Sequence, residues 1–479
     1  MGPSGPVPLP SLSRSTKLLY GFGSVAFGIK DQGFAYLLLL YYNQVLGLPE
    51  DWIGLGILVA LVLDAFIDPV VGYASDNLHS RWGRRHPFMY AAALPVAVSY
   101  YLLWTPPAGL SPNALFAYLI VLAILVRTLI SFYEIPSASL VSELTDHYDQ
   151  RTSILSFRFF FGWWGGLTMG ILAFAVFLQP DATHPIGVLN VAGYRHYALT
   201  ASLVMAGAIL ASALGTHSAI PHLRRPPDRR GHDLRRTIRD FRDTLGNRSF
   251  LVLFWSAAFG AMGSGLTAAL NVYFATYFWE LTSSQISLLV LMGYPAAVLA
   301  FMLAAPLSQS LGKKRAGILA SLGALTLGPL PIVLRLVGVF PENGSPALVP
   351  ALLVNNLALI MLFITSSILT ASMLADIVED SELTTGRRSE GLLFAANSLV
   401  QKAVSGVGIF ASTLLLKAVG FPRGARPGAV DPAVIRTLGT TYVPVVLGIY
   451  LVSIAFLFAY RISRTTHEAN LRRLAERTG

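Results

Sequence analysis

Twelve long apolar stretches, separated by shorter polar connections, run along this chain. A helix needs about 20 mostly apolar residues to cross the hydrocarbon core of a bilayer, and each stretch meets that requirement. Their approximate bounds are 17–46, 52–75, 87–105, 112–140, 152–178, 197–220, 248–279, 284–310, 315–339, 347–375, 389–418 and 440–461. The pattern predicts an all-α membrane protein with twelve transmembrane helices.

The composition excludes a soluble protein. Hydrophobic residues make up 54% of the chain and charged residues only 13%, whereas about a quarter of an ordinary soluble domain is charged. Residues 1–16 lack the apolar region of a cleavable signal peptide, so we expect the first span to act as the insertion signal.

Basic residues concentrate in alternate connections, at 76–86, 222–248, 313–315 and in the C-terminal tail. Because cytoplasmic loops are rich in Lys and Arg, both termini and the central loop are expected inside. The connection at 417–436 departs from this rule. The net charge of +10 thus reflects orientation in a membrane, and we expect no nucleic-acid partner.

The long connection after the sixth span divides the chain into two halves. We predict an N-terminal six-helix half at 1–221, a cytoplasmic Arg-rich linker at 222–247 and a C-terminal six-helix half at 248–479. Within the linker, 233–248 is either an amphipathic helix on the inner membrane surface or a solvated connection. A transporter built from two such repeats is expected to bind its solute near mid-membrane.

The connection after span 2 contains Gly72, Asp76 and a basic run of Arg81, Arg84 and Arg85. A weaker counterpart without the aspartate lies at the matching place in the second half, at 308–315. This arrangement resembles the loop signature of the major facilitator superfamily. The resemblance implies the major facilitator fold, with these residues in an inner gating loop.

Charged residues inside the spans are candidates for function, because each costs roughly 2.5–3.5 kcal/mol at the membrane centre. Asp64 and Asp68 in span 2 are four residues apart and share one helix face. Their repulsion in a low dielectric is relieved by a proton on one of them, by a bound cation, or by Lys30 and Arg158. We favour a cation site for Na⁺ or H⁺.

Span 4 offers two further oxygen ligands for that cation. Ser131 and Glu134, spaced i and i+3, add a hydroxyl and a third carboxylate. The alternative for Asp68 is a structural role at the kink of the following proline. Arg127 in span 4 and Arg335 in span 9 also lie inside the membrane, and the sequence assigns neither of them a partner.

Basic residues in spans 1, 5 and 11 are candidate solute ligands. Lys30 beside Asp31 can form a local ion pair, and a charged donor next to a carboxylate suits the paired hydroxyls of a sugar. Arg158 either serves the same purpose or extends to the membrane surface. Lys402 follows Asn397 on span 11, and the amide of Asn397 either contacts the solute or joins two helices.

In combination these motifs resemble the glycoside–pentoside–hexuronide:cation symporters, a family that includes the melibiose permease. They occur in the family's order as Lys30-Asp31, Asp64-x-x-x-Asp68-Pro, Glu134-Ile-Pro, Arg158-Phe-Phe, Ala375-Asp376-Ile-Val-Glu379-Asp380 and Lys402. The resemblance covers the chain from about residue 17 to the last span. It implies cation-coupled symport of a sugar or glycoside by alternating access.

The resemblance also implies roles for individual residues. The expected cation ligands are Asp64, Asp68, Ser131 and Glu134, of which Asp64 and Asp68 bind the metal if the cation is Na⁺. The expected solute ligands are Lys30, Asp31, Glu134, Arg158, Asn397, Ser398 and Lys402. Asp376 and Glu379 belong to a second gating segment, which is expected to meet the basic loop after span 2.

The chain departs from the family at two places. Glu134 stands where the family more commonly has aspartate. Ser137 and Ala138 stand where the family has an aromatic platform for the sugar, so Trp163 or Tyr133 would have to provide the stacking surface. Small residues at this point also fit a carrier of lysolipids or another amphipathic molecule, which is the alternative function.

Other classes of protein find less support. The chain lacks a metalloprotease HExxH motif and contains no cysteine, so we expect neither an enzyme nor a cofactor. A carboxylate pair backed by basic residues suits a closed site better than an open channel. We expect a monomer in the bacterial inner membrane, in contact with its lipids.

Overall fold

The computed structural model describes residues 13–145, 148–223, 248–385 and 390–460, and these residues contain helices and turns but no strand. The chain separates into two compact units, Met1–Arg229 and Arg230–Gly479. Nearly all of the predicted linker, including the amphipathic stretch that precedes residue 248, lies outside the described residues. The domain boundaries therefore stay predictions.

Six helical spans form the first unit, and the first of them is interrupted. Span α1 comprises Arg14–Phe22, Val25–Gln32 and Leu38–Leu40, with π-helical turns at Gly33–Leu37 and Tyr41–Val45. The others are α2 (Glu50–Asn77), α3 (His86–Leu103), α4 (Pro112–Leu144), α5 (Tyr148–Leu172, with a π-helical turn at Ala173–Phe177) and α6 (Val191–His217).

The second unit repeats this organisation. Its spans are α7 (Arg248–Tyr273, with a π-helical turn at Phe274–Phe278), α8 (Ser283–Leu291 and Gly293–Leu311), α9 (Lys313–Leu327 and Leu330–Leu336), α10 (Leu348–Thr385), α11 (Glu390–Ala418) and α12 (Pro432–Phe458). Ten helical stretches of the described chain are long and apolar enough to cross a bilayer. The remaining two predicted spans are α1, which its π-helical turns divide, and α3. The predicted all-α fold with twelve helical spans is confirmed.

Several helix boundaries differ from the predicted spans because polar helix ends extend beyond the apolar window. Span α12 begins at Pro432 rather than at 440, where the Asp431 carboxylate accepts a hydrogen bond from the backbone N–H of Ala433 at 2.8 Å. Proline is tolerated at the first helical position because the N–H it lacks has no intrahelical partner there. Span α4 continues to Leu144, and this extension carries Glu143.

Corresponding spans of the two units end in the same local structure. A π-helical turn closes α1 through the bond from Leu46 N–H to the Tyr41 carbonyl, 3.0 Å, and α7 through that from Trp279 N–H to the Phe274 carbonyl, 2.9 Å. A tyrosine hydroxyl anchors each of these helix ends. Tyr42 of α1 donates to a carbonyl of α3, and Tyr277 in the turn of α7 donates to the Ala425 carbonyl. The two halves thus share a repeated design.

Glycines bring α1 and α5 into backbone contact in the first unit. A Cβ added at Gly28 would overlap the carbonyl oxygen of Gly162, so neither helix can carry a larger residue there without moving. Small residues are the usual means of close helix packing in membranes. This contact brings α1 next to the helix that carries Arg158.

Candidate functional site

The two acids of α2 lie against α4, where Ser131 joins them. The Ser131 hydroxyl oxygen lies 3.1 Å from Asp64 Oδ1 and 2.6 Å from Asp68 Oδ1. Asp64 and Ser131 are buried, at 1% exposure each, and Asp68 is half-buried. The spacing of four residues places both acids on the face of α2 that packs on α4.

This geometry favours a positive charge or a proton. A serine hydroxyl has one hydrogen and can donate it to only one of the two carboxylates. The other oxygen–oxygen contact is stabilised by a proton on that carboxyl or by a cation between the oxygens. The arrangement of Asp64, Ser131 and Asp68 is therefore suited to bind and release one small cation.

Arg127 supplies a fixed positive charge to one of the two acids. Its Nη2 atom donates to Asp64 Oδ2 at 3.1 Å, and both side chains are at least nine-tenths buried. The guanidinium carbon lies 5.4 Å from the ring centroid of Phe34 on α1, within the range of a cation–π contact. The sequence assigned Arg127 no partner. We refer to Asp64, Asp68, Arg127 and Ser131 as the carboxylate cluster.

Arg158 is buried inside the unit and donates its hydrogen bonds to neutral groups. Its Nη1 atom donates to Ser137 Oγ at 2.8 Å and to the Tyr20 hydroxyl at 3.4 Å, and its Nη2 atom donates to the Glu134 carbonyl at 3.2 Å. Its guanidinium carbon lies 5.0 Å from the ring centroid of Phe27. These contacts connect α5 to α1 and α4.

Lys30 and Asp31 form the predicted ion pair, with Lys30 Nζ 2.8 Å from Asp31 Oδ1. The Lys30 side chain is buried, whereas 60% of the Asp31 side chain is exposed. Both residues lie about one turn beyond Phe27, which contacts Arg158, so they share one face of α1 with it. The pair thus offers an accessible carboxylate whose counter-ion is fixed.

Glu134 belongs to the surroundings of Arg158. Its half-buried side chain interacts electrostatically with Arg158. Among the described residues, no group of three or more His, Cys, Asp or Glu side chains is arranged to hold a metal ion. The structure therefore brings Asp64, Asp68 and Ser131 together, while the place of Glu134 in the cation site stays a prediction.

The small residues after Glu134 have different environments. Ser137 is fully buried and accepts the hydrogen bond from Arg158, whereas Ala138 is exposed. Tyr133 is fully buried and offers no face for stacking, while Trp163 remains 46% exposed. Of the two aromatic substitutes considered, Trp163 is the one with an available ring.

The basic loop after α2 forms a buried ion-pair network. Arg85 pairs with Asp76 and donates to Glu143 Oε1 at 3.0 Å, and Arg84 Nη2 lies 2.8 Å from the same oxygen. Arg81 instead lies over the Trp82 ring, 5.3 Å from its centroid. The network connects the ends of α2 and α4 to the start of α3.

The candidates of the second unit are described less completely. Asp376 and Glu379 lie on α10, and Asn397 and Ser398 lie on α11, but their side chains fall outside the described residues. Lys402 lies on α11 and is half-buried. The roles of these residues stay predictions.

Three contributors were not predicted from the sequence: the pairing of Arg127 with Asp64, the bond of Tyr20 to Arg158, and Glu143. Arg127 and Ser131 are spaced i and i+4, so Arg127 shares the face of α4 that carries Ser131, and this spacing was an available signal. Glu143 lay beyond the predicted end of span 4. No pattern of charge or spacing singled out Tyr20.

Comparison with known proteins places the chain among transporters. The family model described as MFS/sugar transport protein matches residues 19–464. The isoprimeverose transporter of Lactiplantibacillus pentosus is 24% identical over 451 residues, which cover 94% of this chain and 89% of the relative. The putative glycoside/cation symporter YagG of Escherichia coli is 23% identical over 472 residues, covering 97% and 95% of the two chains.

A solved structure shows the same fold. The xylose transporter XylE from E. coli superposes with a TM-score of 0.62 and 16% sequence identity, covering 96% of this chain and 98% of that chain. At this identity the likeness supports the fold alone.

Proposed function

The chain belongs to the family of MFS/sugar transport proteins, and from this premise we propose that it couples the uptake of a sugar or glycoside to a cation gradient. It is an integral membrane transporter rather than an enzyme. We place it in the bacterial inner membrane with both termini cytoplasmic, as the basic loops suggest.

The observation that carries the proposal is the carboxylate cluster. Within the cluster, two carboxylates and one guanidinium sum to one negative charge in a largely buried site. A cation that neutralises this charge lowers the free energy of the site. Release of the cation restores the free-energy cost of the buried negative charge. Such a site can therefore couple a cation gradient to the conformational cycle.

The solute is proposed to bind beside Asp31, Arg158 and Glu134 in the first unit. Asp31 is accessible and held by Lys30, while Arg158 is fixed by Ser137 and the Glu134 carbonyl. Carboxylates accept hydrogen bonds and basic groups donate them, and sugar hydroxyls do both. The printed names of two full-length relatives, an isoprimeverose transporter and a putative glycoside/cation symporter, favour the same solute class.

Asp68→Asn tests the coupling directly. The substituted asparagine would keep the side-chain size but could not carry the transported positive charge, so accumulation of solute above equilibrium should be lost. Radiolabelled sugar uptake into proteoliposomes under Na⁺ and H⁺ gradients measures this. Asp68 is preferred to Asp64 because Asp64→Asn would also leave Arg127 without its carboxylate.

Glu342→Gln provides the matched control, since Glu342 is an exposed carboxylate in the connection between α9 and α10. It should accumulate solute like the wild type. Normal gradient-driven accumulation by Asp68→Asn would contradict the proposed role of the cluster.

A carrier of lysolipids or another amphipathic molecule is the second candidate. The exposed Ala138, at the place where the sugar-binding family carries an aromatic platform, favours it. Parallel uptake of labelled sugars and labelled lysolipids in the same proteoliposomes distinguishes the two.

A further inference from the structure

Arg127 occupies a position that bears directly on the choice of coupling cation. Both oxygens of Asp64 already accept a hydrogen bond, Oδ2 from Arg127 at 3.1 Å and Oδ1 from Ser131 at 3.1 Å. The exposure of the Asp64 side chain is 1% and that of the Arg127 side chain is 5%. The carboxylate is thus enclosed by protein donors on both sides.

The guanidinium is held in this position by the packing of three helices. Arg127 projects from α4 to Asp64 on α2, while the Phe34 ring of α1 lies 5.4 Å from its guanidinium carbon. Arginine keeps its charge under all relevant conditions, so the pairing supplies a permanent positive charge. The next charged residue after Asp64 on α2 is Asp68, and the next after Arg127 on α4 is Glu134. Both are acidic.

A sodium ion does not fit beside Asp64 in this arrangement. Hard cations bind several carboxylate, carbonyl, hydroxyl or water oxygens. At Asp64 such an ion would have to displace the arginine or approach a fixed positive charge in a low dielectric, where repulsion between like charges is strong. The predicted use of Asp64 as a sodium ligand therefore disagrees with the geometry.

We infer that Arg127 is a built-in counter-ion that takes the place of a sodium ion at Asp64 and makes transport independent of Na⁺. The inference rests on the proposed function, because it specifies the cation selectivity of the same site. It assigns to Arg127 a role in ion specificity that does not require contact with the solute.

Direct Na⁺ binding tests this without any solute. The thermal unfolding midpoint of the purified protein is measured in detergent while NaCl replaces choline chloride at constant ionic strength. The wild type should show no Na⁺-specific shift. Arg127→Gln, which removes the charge, should gain a saturable rise in Tm with Na⁺, whereas Arg127→Lys should remain insensitive.

Arg335→Gln is the matched control. Arg335 is a half-buried arginine of α9 that donates to the Pro341 carbonyl at 3.5 Å and lies in the other unit. Its variant should stay insensitive to Na⁺. A folded Arg127→Gln protein without a Na⁺ response would overturn the role given to Arg127.

The wild type alone decides the inference if Arg127→Gln fails to fold, because a saturable Na⁺-specific shift in the wild type overturns it and the lack of one supports it. Uptake separates this inference from the proposed function. Sugar accumulation that requires Na⁺ would refute the inference and leave symport intact. If no sugar is transported under either gradient, the proposed function fails while the Na⁺ titration still answers the question.

Discussion

At the scale of single residues, three aspartates of the first unit differ in exposure and in the group that each one contacts. Within the carboxylate cluster, Asp64 pairs with an arginine, whereas Asp68 contacts the Ser131 hydroxyl. Asp31 is exposed although its lysine is buried. Aspartates of the same unit can therefore serve different purposes.

Glu143 provides a test at this scale. It is 2% exposed and binds both Arg84 and Arg85, and Arg85 is itself buried. Glu143→Ala removes the carboxylate that Arg84 and Arg85 share and leaves Asp76 as a partner of Arg85, so it should lower the free energy of unfolding by about 1–3 kcal/mol. Denaturant unfolding in detergent measures the loss.

Arg81→Ala is the comparison for that prediction. Arg81 is exposed and stacks on Trp82 in the same loop. A surface substitution of this kind should change the free energy of unfolding by no more than about 0.5 kcal/mol. Equal losses in the two variants would argue against a special role for the buried network.

At the scale of helices, glycines determine which spans approach closely. In the second unit, a Cβ added at Gly408 of α11 would overlap the carbonyl oxygen of Met262 on α7. In the first unit α1 and α5 meet in the same way. In both corresponding pairs of spans, a glycine therefore lets one helix pack directly against the backbone of the other.

Gly408→Ala should destabilise the protein by about 1–3 kcal/mol, because the added methyl group forces α7 and α11 apart. Gly207→Ala on α6 is the matched control, since nothing lies within 4 Å of its added Cβ. Alanine favours helix there by up to about 1 kcal/mol. The thermal midpoints of the two variants should move in opposite directions, and a shared direction would contradict the packing argument.

At the scale of the whole molecule, the alternation of basic and sparse connections predicts orientation. The chain has no cysteine, so single cysteines can be introduced without removing any native residue. Ser80 lies exposed after α2, and Ala182 lies exposed between α5 and α6. We predict that the first connection is cytoplasmic and the second faces outward.

Ser80→Cys and Ala182→Cys test the orientation. A membrane-impermeant maleimide added to intact cells should label Ala182→Cys only, and permeabilised cells should show labelling of both. Labelling of Ser80→Cys in intact cells would reverse the predicted topology.

The sequence alone determined the helical class, the number of spans and the residues that carry charge inside the membrane. These follow from apolar length and from the high cost of burying a charge, both of which are local properties of the chain. It also indicated that Asp64 and Asp68 share a face, because helical spacing is fixed. The sequence did not determine which charged side chains form ion pairs with one another.

Only the tertiary structure decided that Arg127 pairs with Asp64. It also placed Ser137 against Arg158. The physical reason is that partners lie on different helices, and their meeting depends on the rotation and closeness of those helices. Those depend in turn on side-chain and glycine packing across the unit, which no stretch of sequence contains by itself.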